Sequence, residues 1–234
     1  MNLQEHYSLK ALNSFGVDHA ARYFSIVTTI EEIPKLKECP QPHLILGGGS
    51  NILFTPNNPG TLIHNRLLGI EILEQNEEEA RIKVMSGENW HNFVTKMNEK
   101  GFHGLEYLAL IPGSVGAAPV QNIGAYGAEV KEYIESIDLY DFAQSRFKTI
   151  SPEECNFAYR DSIFKQNPGR YFISAITFKL SRNFKADLSY RVLADYFAEK
   201  GREEKSITAS ELMEAVIHIR SSKLPDPKEI GNGG

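Results

Sequence analysis

The feature that most constrains this chain is the stretch from Leu108 to Gly127, which is rich in Gly, Pro and Ala and poor in charge. Solvated loops usually carry polar side chains, whereas small residues let a backbone pack closely around a ligand. Gln121, Asn122 and Tyr126 add polar groups that could bind the edges of a flat ring. A tightly packed loop without a ligand is the alternative.

Another glycine-rich segment, Gly47-Gly48-Gly49-Ser50-Asn51, directly follows the apolar residues 43–46. Glycines allow backbone N–H groups to point at a diphosphate, and Ser50 and Asn51 add side-chain donors. Because residues 51–54 are predicted as a strand and not as a helix, a Rossmann dinucleotide site is disfavoured. A glycine-rich hairpin turn fits this segment equally well.

The hydrophobic pattern predicts a mixed α and β protein. Its first third resembles a small α/β unit with a short helix at 31–38, and further strands follow at 136–140 and 171–180. The strands predicted in the first third are 23–28, 43–46, 51–54 and 61–66. Near residues 67–69 the pattern changes, and alternation over 69–74 and 80–86 predicts a hairpin with one solvated face.

The sequence predicts two helices and, for each, the position of one end. Trp90, Phe93, Val94 and Met97 share one helical face, and Gly101 is placed to end that helix. The last helix begins with a capping-box spacing at 208–211.

Two charged segments are further candidates. Arg160, within Tyr159-Arg160-Asp161-Ser162, offers a planar guanidinium suited to a carboxylate, although an ordinary ion pair fits that spacing too. Arg220 and Lys223 lie at the predicted end of the last helix, where basic residues also complement the helix dipole.

Composition excludes several classes of function. The net charge of −5, with Lys and Arg scattered along the chain, does not resemble a nucleic-acid-binding surface. The 2 cysteines and 7 histidines show no metal-ligand spacing, so no metal is expected. No apolar run approaches the roughly 20 residues of a membrane span, and no signal peptide is evident. We therefore expect a cytoplasmic protein with no membrane or obligatory protein partner.

Six motifs occur in one order along nearly the whole chain, and together they resemble the UDP-N-acetylenolpyruvoylglucosamine reductase family. They are Asn13-Ser14-Phe15-Gly16, residues 47–51, Leu110-Ile111-Pro112-Gly113, residues 121–127, residues 159–162 and residues 220–227. The combination is far more specific than any single motif.

The resemblance implies an α+β, two-lobed FAD-binding fold of the vanillyl-alcohol oxidase-like type. It implies a small FAD-binding lobe at 1–68, a larger one at 69–223, and at 224–234 the start of a substrate-binding lobe that is largely missing. In this family NADPH reduces FAD, and the flavin then reduces UDP-N-acetylglucosamine enolpyruvate to UDP-N-acetylmuramate for peptidoglycan. A UDP-sugar is therefore the implied substrate.

The resemblance also implies roles for individual residues. The residues implied for the FAD diphosphate are Gly47, Gly48, Gly49, Ser50 and Asn51. Those implied for the rest of the cofactor are Ile111, Pro112, Gly113, Gln121, Asn122, Ile123, Gly124, Ala125, Tyr126 and Arg220. Arg160 is the implied catalytic residue, which binds the enolpyruvyl carboxylate and stabilises the negative charge that develops. Tyr159, Tyr190 and Lys223 are implied in substrate binding.

In the family, a proton-donating serine follows a glycine-rich turn that corresponds to residues 231–234, and a catalytic glutamate comes much later. Neither occurs in this sequence. We therefore expect this chain to be inactive alone. One alternative is a non-catalytic FAD-binding module derived from the family. Another is a different oxidase on the same fold, which is disfavoured because the two FAD segments contain no His or Cys for covalent attachment.

Overall fold

The computed structural model describes residues 2–55 and 60–223, and its first part is a four-stranded mixed sheet. The strands are β1 (Gln4–Ser8), β2 (Ala20–Val27), β3 (His43–Leu46) and β4 (Thr61–Asn65), in the order β1-β2-β4-β3. β2 and β3 both run parallel to β4, and β1 is antiparallel to β2. A 3-10 helix, Ile30–Glu38, connects β2 to β3 where the sequence predicts a short helix.

The strands after β4 are β5 (Ile70–Gln75), β6 (Glu79–Met85), β7 (Gly124–Ala125), β8 (Ala128–Glu129), β9 (Ile134–Asp141), β10 (Arg146–Ile150) and β11 (Tyr171–Ser181). Five of them form a second, antiparallel sheet in the order β10-β9-β11-β6-β5. β5 and β6 form the predicted hairpin, and β7 and β8 form a separate two-stranded ribbon. Nearly all of β11 is buried, as its central place in the sheet requires.

The α-helices are α1 (Trp90–Glu99), α2 (Ile163–Gln166), α3 (Arg191–Glu199) and α4 (Ala209–Lys223). The predicted apolar face of α1 is buried, and Gly101 follows the helix with a φ of +72°. The predicted capping box opens α4, because the Thr208 N–H donates to Glu211 Oε2 at 2.8 Å and the Glu211 N–H donates to Thr208 Oγ1 at 3.2 Å.

Aromatic rings hold α1 against the second sheet. The Phe178 ring of β11 lies 5.1 Å from the ring of Phe93 and 6.0 Å from that of Trp90, measured between centroids. All three side chains are buried. A second apolar cluster joins the sheets, since Val27 and Ile63 of the first pack with Tyr140 and Phe172 of the second. This second cluster therefore holds the two sheets against each other.

The predicted strand at 51–54 is wrong, because residues 52–55 form no regular secondary structure. Phe54 is buried beside Leu9, Phe24 and Leu62, so the apolar run at 52–54 reflects core packing without strand pairing. The sequence prediction also missed β1, β10 and α3. The predicted lobe boundary at 67–69 stays a prediction, and residues 224–234 lie outside the described residues.

We predict that Phe178→Ala lowers the free energy of unfolding by about 3–5 kcal/mol, because a buried aromatic ring leaves a cavity when it is removed. Phe147→Ala is the matched control, since the Phe147 ring meets that of Tyr140 edge to face but is 46% exposed. Denaturant unfolding measures both variants. Equal losses for the two substitutions would contradict this account of the core.

Candidate functional site

The two glycine-rich segments, far apart in sequence, meet in the fold. In chain order, the first segment is residues 47–51 and the second segment is residues 108–127. A Cβ added to Gly48 would lie 2.9 Å from the Gly113 Cα, and one added to Gly47 would collide with Ser114 Oγ. Gly49 has a φ of +67°, and a Cβ there would collide with the Leu12 carbonyl oxygen. Side chains at Gly47 and Gly48 would push the two segments apart, and one at Gly49 would push residues 47–51 away from Leu12, so glycine is needed for these approaches.

The Asn13–Gly16 motif supports the first segment from behind. The Ser14 N–H donates to the Gly49 carbonyl at 3.1 Å, and the Ser14 hydroxyl donates to the Ser50 carbonyl at 3.3 Å. The Asn13 amide fixes its own turn by donating to the Leu9 and Val17 carbonyls at 2.8 and 3.1 Å. Residues 47–51 are thus held by backbone contacts with the chain's N-terminal region.

The second segment is held by the start of α1. The Trp90 N–H donates to the Gly113 carbonyl at 3.1 Å, and the Gly116 N–H donates to the Ser86 carbonyl at 2.8 Å. Leu110 has a φ of +57°, and its N–H donates to His91 Nδ1 at 3.1 Å. His91 Nδ1 must carry no hydrogen to accept this bond, so the ring is neutral. Burial favours this state because it lowers the pKa of His91.

Two adjoining cavities lie where the segments meet, with volumes of about 230 Å³ and about 340 Å³. They share the lining residues Ile45, Gly47, Ser114, Ala117 and Val120. The smaller cavity is also lined by Gly48, Gly49, Ser50, Asn51, Pro112, Gly113, Gln121 and Ile123, which are predicted site residues. The larger cavity adds apolar and aromatic side chains, including those of Phe164, Tyr171 and Ile173, which the sequence analysis missed.

Asn122 lies beside these cavities but its side chain is fully buried in protein. Its Nδ2 donates to Glu129 Oε2 at 3.0 Å and to the Ala158 carbonyl at 3.1 Å, and its Oδ1 accepts from the Lys131 N–H at 3.2 Å. These three bonds use both amide hydrogens, so the Asn122 side chain has no donor left for a cofactor. Its predicted contact with a cofactor could come only from its backbone.

Arg160 lies in a tight turn whose two ends, Ala158 and Asp161, exchange backbone hydrogen bonds of 3.1 and 3.2 Å. Its backbone is left-handed, with a φ of +53°. The guanidinium donates from Nη1 to the Asn122 carbonyl at 3.2 Å and from Nη2 to the Gly124 carbonyl. The structure therefore brings the predicted catalytic arginine to the segment that borders the smaller cavity, and not to the expected partner Asp161.

Asp161 is engaged elsewhere in the same turn. Its carboxylate accepts from Gln166 Nε2 at 2.7 Å, and this hydrogen bond lowers the pKa of Asp161. Ser162 is buried and donates to the Val120 carbonyl at 2.7 Å. The turn and the cavity wall are thus tied together.

Tyr126, Tyr190 and Arg220 come together on another side. The two tyrosine rings meet edge to face at 5.4 Å, and burial lowers the pKa of Arg220 while the nearby phenol of Tyr126 opposes that shift. Arg220 Nε is buried and has no hydrogen-bond partner among the described residues. A buried donor without a partner is costly, so this atom is suited to a ligand acceptor.

The remaining predicted substrate residues lie at the surface. Tyr159 is 82% exposed, and the Arg160 guanidinium lies over its ring at 5.4 Å. Lys223 is exposed at the end of α4. Ala125, in β7, packs against the main apolar cluster.

A larger groove of about 800 Å³ begins at Tyr126 and Gly127, and residues 47–51 are not part of its lining. Six carboxylates and two lysines line it: Glu78, Glu79, Glu106, Glu132, Glu135 and Asp187, with Lys179 and Lys185. Because like charges repel, this groove is poorly suited to a diphosphate. The two adjoining cavities between the glycine-rich segments are therefore the better candidate for a nucleotide cofactor, although each is smaller than this groove.

The residues around the two cavities fit FAD on two observations of the structure. Glycines leave room for backbone N–H groups to face a diphosphate, and the lining has few charged side chains. Arg220, which lines neither cavity, adds a buried donor that has no partner among the described residues. Among the described residues no group of three or more His, Cys, Asp or Glu side chains could hold a metal ion, and no helix is long and apolar enough to span a membrane.

Comparison with known proteins adds independent findings. A protein-family model described as "FAD binding domain" matches residues 22–151, which include both glycine-rich segments. The UDP-N-acetylenolpyruvoylglucosamine reductases of Xanthomonas campestris strain B100 and Pseudomonas putida KT2440 are 42% and 41% identical to this chain. Each alignment covers 99% of the chain, and respectively 67% and 69% of the relative. The chain thus spans about two thirds of these relatives.

Solved structures show the same fold. The UDP-N-acetylenolpyruvylglucosamine reductase (MurB) of Thermus caldophilus has a TM-score of 0.62 at 21% identity, covering 96% of this chain and 95% of that one. Cholesterol oxidase of Brevibacterium sterolicum has a TM-score of 0.57 at 14% identity, covering 82% of this chain and 41% of that one. These matches confirm the predicted α+β FAD-binding fold of the vanillyl-alcohol oxidase-like type.

We predict that Gly49→Ala destabilises the protein more than Gly101→Ala. Both residues have positive φ angles, of +67° and +72°, but only at Gly49 would a Cβ collide with the neighbouring backbone. Gly101→Ala should cost about 1–2 kcal/mol for the left-handed backbone alone. Denaturant unfolding compares the two, and equal losses would contradict the close approach of Leu12 to this segment.

We also predict that stability falls in mild acid, because burial lowers the pKa values of His43, His64 and His91. The unfolded chain then binds more protons, so stability is complete above the unfolded pKa of about 6.5 and is lost as the pH falls through the folded values. His91→Ala should flatten this dependence and cost about 1–3 kcal/mol at pH 7, since the Leu110 N–H loses its acceptor. An unchanged pH dependence of unfolding in His91→Ala would contradict this.

Proposed function

This chain belongs to the UDP-N-acetylenolpyruvoylglucosamine reductase family, and we propose that it forms the FAD-binding part of an enzyme that reduces UDP-N-acetylglucosamine enolpyruvate to UDP-N-acetylmuramate with NADPH. The observation that carries the proposal is the contact between the two glycine-rich segments around adjoining cavities. A cytoplasmic location and a role in peptidoglycan synthesis follow from the same proposal.

The smaller cavity is proposed to hold the FAD diphosphate and the adjoining part of the cofactor. Residues 47–51 offer backbone N–H groups and the polar side chains of Ser50 and Asn51, which can neutralise phosphate oxygens without a basic residue. Ile111, Pro112 and Gly113 would lie along the flavin, with Gln121 and Ile123 on the opposite wall. Gly113 has a φ of +117°, a conformation that suits glycine.

The larger cavity is proposed to hold the adenosine part of FAD. It continues from the diphosphate position past Gly47 and Ser114, and Phe164, Tyr171 and Ile173 contribute apolar surface. Aromatic and aliphatic side chains suit a flat purine, since stacking and burial stabilise it without charge.

Arg220 is proposed to donate its unpaired Nε to an acceptor of the cofactor, and Tyr126 to pack beside it. When bound, FAD would supply the hydride that reduces the substrate. The carbon–carbon double bond of the enolpyruvyl ether must also receive one proton, which balances the reduction. No residue of this chain is assigned as the proton donor, and the expectation that the chain is inactive alone stays a prediction.

Arg160 is proposed to bind the enolpyruvyl carboxylate and to stabilise the negative charge that develops next to it. Within residues 2–55 and 60–223, only two of its N–H groups are bonded to carbonyls, so others remain for a carboxylate. Electrostatic stabilisation of this kind is most effective where protein excludes water. Tyr159, Tyr190 and Lys223 are proposed to contact the rest of the UDP-sugar, and their partial or full exposure suits a ligand that enters from solvent.

We predict that the purified chain takes up FAD. Flavin should co-elute with the protein in gel filtration and show a perturbed visible absorption spectrum. Gly49→Ala should bind FAD less well, whereas Gly101→Ala should bind it like the wild type because Gly101 lies outside both cavities. Folded wild-type protein that never retains flavin would contradict the site assignment.

We predict that Arg160→Lys retains FAD but loses affinity for the enolpyruvyl substrate by about 10- to 100-fold, the loss expected when one or more charged hydrogen bonds are removed. Affinity for UDP-N-acetylglucosamine, which lacks the carboxylate, should not change. Both affinities can be measured by titration calorimetry of the FAD-loaded protein. A parallel loss for the two ligands would show that Arg160 does not recognise the carboxylate.

A further inference from the structure

The Arg160 guanidinium is positioned by backbone carbonyls and not by a carboxylate. Its Nη1 and Nη2 donate to the carbonyls of Asn122 and Gly124, and no salt bridge of Arg160 is present among the described residues. Carbonyl acceptors orient the planar group without neutralising it. The positive charge of Arg160 also helps to lower the pKa of the nearby Glu129 carboxylate. The orientation of Arg160 therefore depends on whatever holds residues 122–124 in place.

Asn122 is the residue that holds them. Its backbone is left-handed, with a φ of +41°, at the end of the 3-10 helix Val115–Gln121. Its side chain is fully buried and bonds Glu129, the Lys131 N–H and the Ala158 carbonyl. One amide thus connects β8, through Glu129, with the turn that carries Arg160.

Glu129 completes this arrangement from β8. It pairs with Gly124 across the β7–β8 ribbon, and its Oε2 accepts from Asn122 and lies 2.7 Å from Lys131 Nζ. The hydrogen bond from Lys131 is the main cause that lowers the pKa of Glu129. A Cβ at Gly124 would lie 3.1 Å from Arg160 Nη1 and 3.2 Å from Glu129 Cγ, so the three groups are in close contact.

We propose that Asn122 is a positioning residue for Arg160, because its buried amide fixes both the carbonyls that orient the guanidinium and the turn from which Arg160 projects. Glu129 acts with it by accepting from the same amide. One consequence rests on the proposed function: the unbonded N–H groups of Arg160 are presented to the substrate carboxylate.

Asn122→Asp is the test variant, because it has nearly the same shape but cannot donate to Glu129 or to Ala158 and places a second carboxylate beside Glu129. Asn98→Asp is a matched control. Asn98 is also buried, donates to a buried carboxylate of Glu106 at 3.3 Å and accepts from Ser210 at 2.9 Å, but it does not contact Arg160.

The deciding measurement is the side-chain nitrogen NMR spectrum of Arg160 in the folded chain, with its signals assigned from Arg160→Lys. Hydrogen bonds to two carbonyls slow rotation of the guanidinium nitrogens. We expect rotation to accelerate about tenfold or more in Asn122→Asp, the change for a loss of roughly 1.4 kcal/mol. Asn98→Asp should leave the rotation unchanged.

Two further variants keep the test decisive. Glu129→Ala removes the acceptor at a side chain that is 23% exposed, so it should fold if Asn122→Asp does not, and it should also accelerate the rotation. Asn122→Asp combined with Glu129→Gln exchanges donor and acceptor between the two positions, and should restore part of the slow rotation. Unchanged rotation in folded Asn122→Asp or Glu129→Ala, or equal acceleration in Asn98→Asp, overturns the proposal.

Substrate affinity separates this inference from the proposed function. In the FAD-loaded protein, Asn122→Asp should weaken binding of the enolpyruvyl substrate more than binding of UDP-N-acetylglucosamine. If Arg160→Lys changes neither affinity while Asn122→Asp still frees the guanidinium, the proposed function fails and the positioning role stands. If Arg160→Lys weakens only the enolpyruvyl substrate and Asn122→Asp has no effect on rotation or affinity, the positioning role fails alone.

Discussion

The close approach of Gly48 to Gly113 is the contact on which the rest of the site depends. The two backbones are near enough that a Cβ on Gly48 would lie 2.9 Å from the Gly113 Cα. Each segment is held by a different part of the fold: Ser14 bonds the first, and the backbone of Trp90 bonds the second. Because backbone and not side chains forms this junction, the adjoining cavities are lined by small residues and by N–H groups that suit a diphosphate.

Charge is arranged around the cavities and not within them. Arg160 is oriented by carbonyl oxygens, and Arg220 has a buried nitrogen without a partner in the part of the chain that the structure describes. Neither arginine forms a salt bridge among the described residues, although the charge of Arg160 helps to lower the pKa of the Glu129 carboxylate. Both guanidinium groups therefore keep N–H groups that can bind an anionic ligand. This separation agrees with the proposal that backbone groups bind the cofactor diphosphate, while Arg160 binds the substrate and Arg220 binds the cofactor.

The sequence was most informative where local chemistry determines structure. β3, α1 and the capping box of α4 follow from periodicity and end signals, and the glycine segments were recognised because few other residues could replace them. Residues 51–54 were misread, since Phe54 is buried by tertiary packing without strand pairing. The buried role of Asn122 and the cavity wall at Phe164 could not be predicted, because both depend on contacts between residues distant in sequence.

The central claim is that the two glycine-rich segments bind one ligand, FAD, between them. Hydrogen–deuterium exchange of the chain with and without FAD tests it directly, since it reports on backbone N–H groups at each position. The account predicts that FAD slows exchange in residues 47–51 and in residues 111–126 together, while α3 exchanges as before. Slower exchange in only one segment, or only around the larger groove that begins at Tyr126, would contradict it.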